Sequence, residues 1–107
     1  MTDAKDQNAG LVFIVDDEKS MRDATRQWLE LSGFEVRDFA RASAALEHID
    51  HRFAGVLISD IKMPGMDGTE LHRRVRDVDV AIPVILVSGN GDIALAVQRI
   101  ERKSVVA

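Results

Sequence analysis

The chain of 107 residues contains no cysteine. That absence removes disulfide scaffolds, thiolate zinc sites and cysteine nucleophiles together. No apolar run approaches the roughly 18 residues that a membrane span requires. Positive charge is not in excess either, since 14 Lys+Arg stand against 18 Asp+Glu for a formal net charge of −4. A small acidic chain has no overall electrostatic pull toward nucleic acid or anionic lipid, so neither is expected as a direct partner. Internal repeats, linkers and low-complexity stretches are also lacking. Met1 to Gly10 is polar, without the apolar centre of a signal or transit peptide. It reads as a loose leader (1–10) to one domain (11–107), and a cytoplasmic location is expected. The 46% hydrophobic and 30% charged residues are ordinary globular values, and the length fits a single domain.

Two kinds of segment alternate along the remainder. Leu11 to Val15, Gly55 to Ser59 and Pro83 to Ser88 are short apolar runs rich in β-branched residues. They do not alternate with polar residues, which predicts strands covered on both faces, as in the interior of a parallel sheet. Glu35 to Phe39 does alternate and reads as an edge strand. Between these runs lie helical stripes: Met21, Ala24, Trp28, Leu29 and Leu31; Ala42, Ala45, Leu46, Ile49 and Phe53; Leu71, Val75 and Val78; Ile93, Val97 and Ile100. Gly33 stands at the expected C′ position of the first helix with Phe34 folding back on it, and Asp67 and Asp79 are candidate boundaries of the third. The order β-α-β-α-β-α-β-α predicts an open, doubly wound parallel α/β sheet.

Sheets of this kind place sites beyond the carboxyl ends of their strands. The residues there are Asp16, Asp17 and Glu18 after the first run, Asp60 after Gly55 to Ser59, and Ser88, Gly89 and Asn90 at the end of the last. Adjacent strands are about 4.8 Å apart, so these carboxylates can converge. Clustered carboxylates stay ionised only with a cation between them, or one must be protonated, and hard oxygen donors without His or Cys favour Mg²⁺. Such a site suits phosphoryl transfer, with Asp60 as an attacking carboxylate and Ser88 as a hydroxyl donor to a phosphoryl oxygen. Taken singly, an Asp at a strand end is often only a cap or turn former.

The stretches Phe13 to Glu18, Ile58 to Gly68 (ISDIKMPGMDG) and Val84 to Gly89 together make the chain similar to receiver domains of bacterial two-component response regulators. The resemblance covers about residues 11 to 100, and its finer detail is closest to enhancer-binding activators such as the C4-dicarboxylate transport regulators. It implies a flavodoxin-like fold with strand order 2-1-3-4 and a sensor histidine kinase as partner. It implies Asp60 as phosphoacceptor, Mg²⁺ held by Asp16, Asp17, Asp60 and the backbone carbonyl of Lys62, and Ser88 as the switch hydroxyl. Lys62 and Asn90 fall at positions that tune the lifetime of the phosphoryl group. An output domain outside this chain, with transcription regulation as the expected output, and a second copy of the chain are further implied partners.

The C-terminal part departs from the family pattern. After Arg99-Ile100 the sequence reads Glu101 to Ala107, without the expected Lys-Pro, switch aromatic or fifth βα unit. Lys103 follows no apolar run and reads as a solvated cation. The expectation is a receiver altered after about residue 100, with its fourth strand an uncovered edge. A competing reading follows: a decoy receiver that docks a kinase without completing the relay. Other classes fit poorly. Gly89 to Ala94 matches G-x-G-x-x-A in the last βα turn rather than the first. No P-loop and no G-x-S-x-G elbow occur. His48, His51 and His72 lack a ligand motif. The Arg73-Arg74-Arg76 cluster reads as a solvated helix face.

Overall fold

The computed structural model describes residues 10–88. Within them the chain runs β1 (Leu11–Val15), α1 (Lys19–Leu31), β2 (Glu35–Phe39), α2 (Ala42–Leu46), β3 (Gly55–Asp60), α3 (Gly68–Val78) and β4 (Val84–Val87). The rest of the leader, the Ile93–Val97–Ile100 stripe, Asn90, Lys103 and the C-terminal departure lie outside the described residues. The strands form one sheet in the order β2-β1-β3-β4, and each pairing is parallel. This is an open parallel α/β sheet with the expected 2-1-3-4 order.

The unbroken apolar runs are explained by two cores, one on each face of the sheet. Val12 and Ile14 of β1 join Leu29, Phe34, Val36, Ile58 and Val87 on the α1 side. Phe13 and Val15 join Ala42, Ala45, Ile49, Leu57, Leu71, Val75 and Ile82 on the α2–α3 side. Successive strand side chains point to opposite faces, so a strand covered twice is apolar at nearly every position. At the edge, β2 buries Val36 and exposes Glu35 and Arg37.

Two helices differ from their expected form. The buried line of α1 is Met21, Thr25 and Leu29, at intervals of four. Ala24, Trp28 and Leu31 face outward, Trp28 45% and Leu31 81% exposed. Thr25 can take a core position because its hydroxyl donates to the Met21 carbonyl (2.9 Å). The helix does end as expected: Gly33 has φ +94°, and the Gly33 and Phe34 amides donate back to Glu30 and Leu29. The second helix stops at Leu46 instead of continuing to Phe53. Tighter bonds from His48 and Ile49 to Ala45 and Leu46 close its last turn, and Asp50 accepts from the Arg52 amide to reverse the chain. Ile49 and Phe53 still reach the core, but from turns. In α3, Asp67 is the N-cap, accepting from the Glu70 amide (2.9 Å), and Asp79 is the C-cap.

Candidate functional site

The sheet register assembles the site. Val15 of β1 pairs with Ser59 of β3, so Asp16 and Asp60 are the next residues at two adjacent strand ends. Asp60 in turn pairs with Val87 of β4, and Ser88 follows directly. One carboxylate oxygen from each of Asp16, Asp17 and Asp60 lies within 4.8 Å of the others. Among the described residues this is the one group of three or more acids, His or Cys close enough to share a cation, and no histidine joins it. Asp16 is 9% exposed, Asp60 half-buried and Asp17 open to solvent. Ser88 and Lys62 are exposed at the rim.

Burial is the largest influence on Asp16 and raises its carboxyl above the ordinary carboxylate range. A bond from the Glu18 amide to Oδ1 (2.9 Å) opposes this, while the charges of Asp60, Asp17 and Glu18 add to it. A buried acid crowded by acids is a costly arrangement unless a cation or a proton relieves it. The donors are all hard carboxylate oxygens, which fits Mg²⁺ and no softer metal.

Other contacts hold the acids in place. The Asp16 amide donates to the Phe39 carbonyl (3.1 Å), and Arg22 Nη1 donates to the Asp16 carbonyl (2.8 Å). The Asp60 carbonyl accepts the hydroxyl of fully buried Ser59 (2.9 Å), and the Ile61 amide donates to Val87 (3.0 Å). The loop after Asp60 closes through the Gly68 amide on the Ile61 carbonyl (2.8 Å). Gly68 is required there, because an added Cβ would stand 2.2 Å from the Asp60 carbonyl oxygen. Beside the acids runs a groove of about 710 Å³, lined by Asp17, Ala40, Arg41, Pro64, Gly65 and Met66 among others.

Sequence reasoning found the acids but missed Arg22, Ser59 and the structural need for Gly68. The Asp-Gly ending of the ISDIKMPGMDG stretch was the available signal for Gly68. Arg22 carried none, since its partners Asp16 and Asp38 belong to other elements. The Arg73–Arg74 pair is accounted for on the helix surface, where both ion-pair with Glu70.

The model of the response regulator receiver domain family matches residues 12–105. The chain is a receiver domain of that family. It is similar to the C4-dicarboxylate transport transcriptional regulatory protein DctD of Rhizobium meliloti, at 51% identity over 84% of the chain and 20% of that protein. It is also similar to the transcriptional regulatory protein FixJ of Bradyrhizobium diazoefficiens, at 36% identity over 83% of the chain and 43% of that protein. Among solved structures, the N-terminal part of FixJ superposes with a TM-score of 0.68 at 34% identity, covering 94% of this receiver and 77% of that chain. The response regulator StyR gives 0.69 at 40% identity, covering 77% of this receiver and 41% of that chain. The receiver thus spans less than half the length of these full-length relatives. The fine resemblance to C4-dicarboxylate regulators agrees with the DctD match, and the acidic cluster is typical of receiver Mg²⁺ sites. Membership implies a cognate histidine kinase. No helix of the described residues is long and apolar enough to cross a membrane.

Proposed function

We propose that this receiver accepts a phosphoryl group onto Asp60 from a phosphohistidine of a sensor histidine kinase, and so switches a cytoplasmic transcription regulator. The observation that carries this reading is the convergence of Asp16, Asp17 and Asp60 within 4.8 Å at adjacent strand ends. Asp16, Asp17, Asp60 and the Lys62 backbone carbonyl would hold Mg²⁺. When bound, the ion supplies neutralisation of the carboxylates and of the transferred phosphoryl oxygens. The Asp60 carboxylate attacks phosphorus, the P–N bond breaks, and its electron pair leaves with the imidazole nitrogen, which takes up a proton. Asp60 suits the attack because its backbone is held on both sides, by Ser59 and by the Ile61–Val87 bond. Asp16 has one carboxylate oxygen engaged by the Glu18 amide, and Asp17 is open to solvent. The Ser88 hydroxyl donates to a phosphoryl oxygen and reports its arrival. Output belongs to a domain outside this chain, as the names of the relatives suggest.

The test is the intact-protein mass after incubation with a small acyl phosphate, with Mg²⁺ and with chelator. The expected gain is one phosphoryl group, lost with chelator and in Asp60→Asn. No gain in the folded parent would favour the decoy reading; an equal gain in Asp60→Asn would remove Asp60 as acceptor.

A further inference from the structure

We infer that Arg22 is a positioning residue for the acidic cluster, fixing the backbone of Asp16 while its own guanidinium is held by Asp38. The inference rests on the reading of Asp16, Asp17 and Asp60 as a Mg²⁺ site.

Asp16 stands just past β1, beyond the last paired residue Val15, where the ladder no longer determines its backbone. Three contacts take over. Its amide donates to Phe39 of β2 (3.1 Å), its Oδ1 accepts from Glu18 (2.9 Å), and its carbonyl accepts from Arg22 Nη1 (2.8 Å). Arg22 is itself constrained. Its amide donates to the Glu18 carbonyl (3.0 Å), and its Nε donates to Asp38 Oδ2 (3.2 Å). Arg26, one helical turn on, donates from Nη1 to Asp38 Oδ1 (2.5 Å). Each Asp38 oxygen therefore serves a different arginine, and one planar guanidinium bridges β2 to the end of β1.

The Arg22 and Asp38 side chains are only 14% and 21% exposed. Partly desolvated, charge-assisted bonds of this kind hold geometry better than surface ion pairs. The role is one of position, since Arg22 bonds the backbone carbonyl of Asp16 and not its carboxylate. Partners that orient ligand residues without touching the ion commonly govern metal affinity.

The test compares the parent, Arg22→Gln, Arg22→Lys and Arg26→Gln as full chains. Calorimetric Mg²⁺ titration gives Kd, thermal unfolding gives Tm, and phosphoryl uptake from a small acyl phosphate is followed against Mg²⁺ concentration. Arg22→Gln should raise the Mg²⁺ Kd about tenfold and the half-saturating Mg²⁺ for uptake by the same factor. The rate at saturating Mg²⁺ should stay within about twofold, a split that mere loss of stability does not produce. Arg22→Lys keeps the charge but lacks the fork that reaches both Asp16 and Asp38, so it should show most of the same loss even where the Gln variant fails to fold. Arg26→Gln should lower Tm yet leave Kd within about twofold of the parent. Parental Kd in a folded Arg22 variant, or an equal rise in Arg26→Gln, would overturn the inference while leaving the site reading intact. A folded parent that binds no Mg²⁺ would overturn both.

Discussion

Asp16 is the residue whose ionisation couples the site to the stability of the fold. Its pKa is raised on folding, chiefly by burial. Folding therefore gains from Asp16 while it is protonated. That gain is complete below the ordinary value of 3.8 and is lost as pH rises through the raised one. Asp16→Asn keeps an Oδ1 acceptor for the Glu18 amide and removes the buried charge. In chelator at neutral pH its Tm should exceed the parent's by a few degrees, roughly the effect of 1 kcal/mol or less. The difference should vanish near the acid end of the range, where the parent is protonated too. With Mg²⁺ the order should reverse, because the parent gains binding energy that the variant has given up. Calorimetry across pH, with and without chelator, decides it; an Asn variant less stable than the parent at neutral pH in chelator would show that charge is not the burden. Asp23, Asp50 and Glu70 are shifted the other way by hydrogen bonds from Lys19, Arg52 and Arg74, but all belong to surface pairs that move parent and variant alike. The acids were legible in the sequence because strand ends are where such sheets put their chemistry. Arg22 was not, because the Arg22–Asp38 bond joins residues 16 apart on different elements and leaves no local periodicity to read.

At the scale of elements, the strands were easier to read than the helix faces. A doubly covered strand is a nearly continuous apolar run, and such a run is legible without knowing its register. The α1 stripe was harder, since five apolar residues compete for one buried line and a threonine holds the central place. The consequence is measurable on neighbouring turns. Leu29 is fully buried, so Leu29→Ala should cost ~3 kcal/mol in denaturant unfolding. Leu31→Ala, at an exposed position three-quarters or more in water, should change stability by ~0.5 kcal/mol or less. Similar costs at both positions would mean that Leu31 is covered in solution. The short α2 was illegible for a related reason: Ile49 and Phe53 keep helical spacing and core positions, while Asp50 turns the backbone beneath them.

For the molecule as a whole, the register makes β1 the hub. Leu11 pairs with Glu35 on one side and with Gly55 on the other, so both of its ladders join distant parts of the chain. A hairpin could begin such a sheet locally; a parallel ladder cannot, because a helical crossover must close first. Folding is then governed by when β1 finds its neighbours, and rates in the millisecond range or slower are expected. The cross-strand partners Val12 and Val36 offer a matched comparison, as both are buried in the α1-side core. Val12→Ala, in the hub, should slow refolding, whereas Val36→Ala, on the edge, should chiefly speed unfolding, as read from the two arms of a stopped-flow chevron. The same strand that delivers Asp16 to the site would thus set the pace at which any site exists.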